Sequence, residues 1–181
     1  PINKNFEKFT WLNDEEHYQR WCYGQTGIPL IDAGMRELWS TGYIHNRVRM
    51  NVASYLTKHL LVDFRKGMSW FWDTLIDCDI ANNTFGWQWA SGSGADAAPY
   101  FRIFNPYLQS AKFDGEALYI RKWIPELRHL SDKDILEPDQ ASEDSLKEAG
   151  IILGDTYPYP VVTHKAGRTR ALLAYEEIKK G

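Results

Sequence analysis

The chain has 181 residues, 44% of them hydrophobic, which is enough for one compact domain with a real core. No apolar run approaches the ~20 residues of a membrane span, and a net charge of −3 gives no bulk electrostatic case for nucleic-acid binding. Pro1-Ile2-Asn3-Lys4 carries neither an initiator Met nor a secretory leader, as expected of a trimmed or partial chain.

Charge is unevenly spread. Residues 36–66 hold six basic and two acidic side chains, a net +4, and residues 131–148 hold two basic and seven acidic ones, a net −5. Such a split reads either as two solvated faces or as an anion-binding surface with the acid kept elsewhere. Cys22 and Cys78 have no CxxC spacing and are expected to be reduced thiols of a cytoplasmic protein. The five His residues lack metal-ligand spacing, so no metal is expected.

Taken in order, the pattern is helical nearly throughout. Pro29 opens a helix that Gly42 stops, with Ile31, Met35, Leu38 and Trp39 on one apolar face. A second helix is predicted from about Asn46 to Phe64, with Val48, Val52, Tyr55, Leu56 and Leu60 inward, and Gly67 separates it from a short helix over Ser69–Ile76. Ser91-Gly92-Ser93-Gly94 reads as a loop, and Asn105-Pro106 as a turn. Asp114 is a candidate N-cap for a helix through Trp123, stopped by Pro125. The acidic segment carries a short helix ending at Gly150, Tyr157–Pro160 is extended, and Arg168–Lys179 closes the chain as a helix. With no hairpin signal and no repeat, the expected fold is all-α, a single domain over residues 1–181.

Two polar clusters stand out. Asp77-Cys78-Asp79-Ile80-Ala81-Asn82-Asn83-Thr84-Phe85-Gly86-Trp87-Gln88-Trp89 packs carboxylates, amides and indoles into one run, and His45-Asn46-Arg47-Val48-Arg49-Met50 opens a helix upstream. Asp and Asn are poor helix-interior residues, and Trp is costly to expose. Together they offer acids, amides and arginines to fix a polar ligand, and indoles to stack on it.

These clusters resemble the DNA photolyase/cryptochrome family. So do Trp21-x-x-Gly24-x-Thr26-Gly27-Ile28-Pro29-Leu30-Ile31-Asp32-Ala33-Gly34-Met35-Arg36, Gly42-Tyr43-Ile44 before His45, Tyr100-Phe101-Arg102-Ile103-Phe104-Asn105-Pro106, and Trp123-Ile124-Pro125-Glu126-Leu127. The resemblance is closest to the class I cyclobutane pyrimidine dimer enzymes. It covers nearly the whole chain and implies the C-terminal part of a helical FAD-binding domain. The family's N-terminal α/β antenna domain and first FAD-domain helices are outside these residues.

The resemblance implies roles residue by residue. Tyr43, Asn46, Arg49, Asp77, Asp79 and Asn83 match flavin-contacting positions, with Arg49 and Asp77 as a buried ion pair beside the ring. Asn83 matches the position facing the flavin N5, and an amide there can tune the redox state. Asn46, Arg47, Met50, Trp89 and Arg102 match positions facing damaged DNA, where arginines suit phosphate and an indole suits an extruded dipyrimidine. Trp87 and Trp11 match the inner and outer members of a tryptophan electron chain, whose middle position falls on Phe64, a ring much harder to oxidise.

The implied function is light-dependent repair of cyclobutane pyrimidine dimers by electron transfer from excited reduced FAD, in a cytoplasmic, monomeric protein with an antenna chromophore in its missing domain. Two alternatives stay open: a cryptochrome-like blue-light photoreceptor, and an isolated helical module without flavin. Taken alone, Asp79 also reads as an N-cap or turn acid, Met50 as core, and Arg49 with Asp77 as a structural salt bridge.

Overall fold

The computed structural model describes residues 6–7, 9–94, 99–100 and 102–180. They form helices α1 (Glu15–Cys22), α2 (Pro29–Thr41), α3 (Asn46–Ser54), α4 (Phe64–Thr74), α5 (Ile80–Ser91), α6 (Pro106–Phe113), α7 (Leu118–Trp123), α8 (Glu143–Glu148) and α9 (His164–Lys180). Among the described residues the only β pairing is an isolated bridge between Leu153 and Tyr157, so the all-α expectation holds.

Helix α2 follows the sequence closely. Pro29 occupies its first turn and Gly42 ends it at φ +69°, where a side chain would also collide with Ile76. Pro29–Met35 and Leu38 of α2 are buried, because α3 and α6 pack on it and α7 covers the side holding Ala33, whereas Trp39 near its end is exposed. Trp21 of α1 donates its indole N–H to the Val52 carbonyl of α3 at 3.0 Å and joins the main core with Ile31, Met35, Leu56 and Phe71.

The long helix expected from Asn46 to Phe64 is broken. After Ser54 the backbone widens into one π-helical turn, Tyr55–His59, and Asp63 then caps α4 by accepting from the Arg65 N–H. Every residue of the π turn is buried, and Tyr55, Leu56 and the following Leu60 carry the apolar spacing across the break, which hides it from periodicity.

Gly67 does not separate two helices; α4 runs through it. A Cβ there would lie 2.2 Å from Cη2 of Trp87 and 2.7 Å from Leu56, so glycine is present to let α5 approach α4. Gly67→Ala is therefore expected to lose about 1–3 kcal/mol of stability, although alanine is the better helix former by ~1 kcal/mol, because overpacking outweighs propensity. Urea unfolding of the two proteins checks the sign.

Further along, Asn105-Pro106 is the N-cap and first residue of α6 rather than a simple turn, Asn105 accepting from the Tyr107 and Leu108 amides. Asp114 closes α6, and its carboxylate caps α7 by accepting from the Tyr119 and Ile120 N–H groups. Gly150 follows α8 at φ +72°, as expected. Helix α9 starts four residues before the predicted Arg168 and packs on the π turn. Among the described residues no helix is long and apolar enough to cross a membrane.

Candidate functional site

The Asp77–Trp89 cluster becomes helix α5 because Asp79, extended and just outside it, accepts from the Asn82 N–H at 2.9 Å. Asn82 and Asn83 then fall in the first turn, where a poor helix former costs little. Trp87 points into the core, with its ring centroid 5.0 Å from Phe71 and 6.0 Å from Trp21. On α3, His45 caps the first turn through Nδ1, which sets Asn46, Arg49, Met50 and Ala53 along one face.

A cavity of about 170 Å³ lies between the two helices. Asn46, Arg49, Met50 and Ala53 line it from α3, Phe71 from α4, and Asn82, Asn83, Gly86, Trp87, Trp89 and Ala90 from α5. Its volume is below the ~300–1,000 Å³ of a complete small-molecule site. The Asn83 amide is oriented by donating to the Met68 carbonyl at 3.0 Å. Among the described residues Arg49 reaches only the Ile44 carbonyl, at 3.5 Å, and its buried Nε has no hydrogen-bond partner. A buried donor left so is costly unless a ligand completes it.

Six sequence-predicted residues thus converge: Asn46, Arg49, Met50, Asn83, Trp87 and Trp89. Others do not line the cavity. Tyr43 is 52% exposed on the turn between α2 and α3, and Asp77 and Asp79 are exposed on the approach to α5. The ion pair of Arg49 with Asp77 is not formed, since no N···O contact within 4 Å joins them. With Asp77 exposed to water, burial does not force it to find a cation. Arg47 is exposed with its guanidinium 4.1 Å over the Phe113 ring, and Arg102 is exposed as well; Phe101 lies outside the described residues. Trp11 packs on Phe9 and, at 6.5 Å, on Phe64.

Sequence reasoning missed Ala53, Phe71, Asn82, Gly86 and Ala90 as lining residues. The helical period would have found the last three: 82, 86 and 90 recur at four-residue steps on the face of α5 that carries Asn83. Neither cysteine is poised as a nucleophile, because burial pushes the Cys22 thiol up to about 12 and raises that of Cys78.

Comparison with known proteins bears on this cavity directly. The family model described as the FAD binding domain of DNA photolyase matches residues 1–177. The chain belongs to that family. It is 56% identical over 178 residues to a deoxyribodipyrimidine photo-lyase of Agrobacterium fabrum, covering 98% of this chain and 37% of the relative. It is also 44% identical over 162 residues to cryptochrome-1 of Arabidopsis thaliana, covering 90% and 24%. The crystal structure of a bacterial class III photolyase from Agrobacterium tumefaciens superposes with a TM-score of 0.97 at 55% identity, covering 99% of this chain and 37% of that one. The chain therefore spans about a third of the length of the photolyase relatives it matches.

Proposed function

We propose that this chain is the part of a light-dependent DNA lyase that forms one wall of its flavin and lesion site, in a protein that splits cyclobutane pyrimidine dimers. What supports this reading most is the convergence of Asn46, Arg49, Met50, Asn83 and Trp89 on one cavity. FAD suits the donor set: the unpartnered Arg49 Nε and the amides of Asn46, Asn82 and Asn83 answer a polar, electron-rich ring edge. When bound and reduced, FAD would supply the light-driven electron that opens the cyclobutane ring.

The chain's own residues do the rest. Arg49 favours negative charge beside the ring, and Asn83, fixed by Met68, presents its amide in a set orientation. Asp79 is held in its capping role, and Asp77 and Tyr43 are exposed to the polar parts of the cofactor. Met50 and Trp89 offer apolar surface for an extruded dipyrimidine, which needs a stacking partner to offset lost stacking in the duplex. Arg47 and Arg102, both exposed, meet backbone phosphate. Trp87 links the cavity to the core aromatics, and the Trp11 ring lies 6.5 Å from Phe64. The whole protein acts as a cytoplasmic monomer, with an antenna chromophore in a separate domain.

The test uses the full-length protein containing this segment, reduced and mixed with ultraviolet-irradiated DNA. Dimers are expected to disappear in light and persist in darkness. A flavin-loaded protein that leaves dimers intact in light would overturn the repair reading in favour of a photoreceptor.

A further inference from the structure

We propose that Gly86 is a clearance position: its missing side chain admits the face of a planar ligand ring, and a Cβ there excludes it. This rests on the flavin reading above and names the residue that sets what the wall accepts. Four glycines lie inside helices among the described residues: Gly34, Gly67, Gly86 and Gly167. Glycine weakens a helix interior, so each needs a reason. For three of them the reason is packing. An added Cβ would lie 2.4 Å from Val48 at Gly34, 2.2 Å from Trp87 at Gly67 and 2.7 Å from His59 at Gly167.

Gly86 has no such reason. A Cβ there meets nothing within 4 Å among the described residues, and its φ is not in the left-handed region. It is not a terminal residue either, since α5 continues to Ser91. Nothing within the described chain asks for glycine, yet Gly86 lines the cavity. Asn82 lies one turn before it and Ala90 one turn after, on the same helix face. Across from them Ala53 contributes only a methyl. Low bulk at 53, 86 and 90, bordered by the amides of Asn82 and Asn83, suits a flat ring laid face-on with its edge held by hydrogen bonds. A methyl at position 86 would stand in the space the ring needs.

The experiment compares the full-length wild-type protein with Gly86→Ala and Gly86→Val. Each apo-protein is titrated with FAD, followed by quenching of flavin fluorescence, and melted by circular dichroism without flavin. Alanine is expected to weaken FAD binding roughly ten- to hundredfold, as overpacking of a close contact does. Valine should retain no FAD through gel filtration. The apo alanine variant should melt no lower than apo wild type, because an exposed helix position gains from alanine. Equal FAD affinity in all three proteins would overturn the proposal and leave the flavin reading standing. A lower apo melting temperature for the alanine variant would also overturn it, by assigning Gly86 to packing within the longer chain. A wild-type protein that binds no FAD would remove the flavin reading, and this proposal with it.

Discussion

Asp32→Ala is expected to cost on the order of 3–5 kcal/mol, more than the overpacking at Gly67. The carboxylate is fully buried in the first turn of α2 and accepts four hydrogen bonds. Oδ1 takes the Thr26 amide at 2.7 Å and the Thr26 hydroxyl at 2.6 Å, while Oδ2 takes the Gly27 amide at 3.0 Å and the Tyr157 hydroxyl at 2.6 Å. Alanine would leave four donors without an acceptor in a dry interior, each costing about 1–3 kcal/mol unless water enters. Asparagine should rescue part of the loss: its Oδ1 still accepts both Thr26 donors and the Tyr157 hydroxyl can rotate to accept from its NH2 group, but that group cannot accept from the Gly27 amide. The loss reaches the site because α2 supports α3, with Gly34 giving Val48 the room it needs, and α3 carries Asn46, Arg49 and Met50. Urea unfolding measures it. An alanine variant less than about 1 kcal/mol weaker than wild type would mean that water replaces the carboxylate, and the hub would lose its importance.

Asp32 also illustrates what a sequence conceals. It belongs to a family-like motif, but nothing in its spacing pairs it with Tyr157, 125 residues away. Local rules located what local chemistry decides: Pro29 and Gly42 bound α2, and Gly150 follows α8. Periodicity failed where tertiary packing overrode it. The buried π turn kept the apolar pattern of α3 running past its end, and Gly67 resembled a breaker because its partner, Trp87, comes from another helix. The same limit holds at the cavity. Asn46, Met50 and Trp89 were legible from motifs, whereas the absence of an ion pair between Arg49 and Asp77 depends on where each side chain meets water. Gly86 is uninformative by composition and becomes telling only once its surroundings are known to be open.

Acid should weaken the attachment of α9 well before it reaches ordinary carboxylates. His59, at the end of the buried π turn, lies with Nε2 2.9 Å from Nδ1 of His164, the first residue of α9. Two neutral rings can share that contact through one proton, but two protonated rings cannot. Burial, then the neighbouring His164, pushes His59 down to about 3, and burial followed by Arg168 lowers His164. Arg170, which donates to the His59 carbonyl, and Lys58 add further positive charge against protonation. The sign follows from proton counting. Below the unfolded value of ~6.5 the unfolded chain binds protons that the folded one refuses, so stability is complete above that pH and falls as pH drops toward the folded value. His59 alone contributes a slope of up to about 1.4 kcal/mol per pH unit, or roughly 2 kcal/mol between pH 6.5 and 5. His59→Leu should be less stable at pH 7.5, because it removes the contact to His164, yet should lose about 2 kcal/mol less on acidification. Urea unfolding of both proteins at pH 7.5 and 5 separates these effects, since groups elsewhere titrate equally in each. Parallel pH profiles would mean that His59 is protonated in the folded protein, and that the His59–His164 contact is not the neutral clasp joining α9 to the turn behind α3.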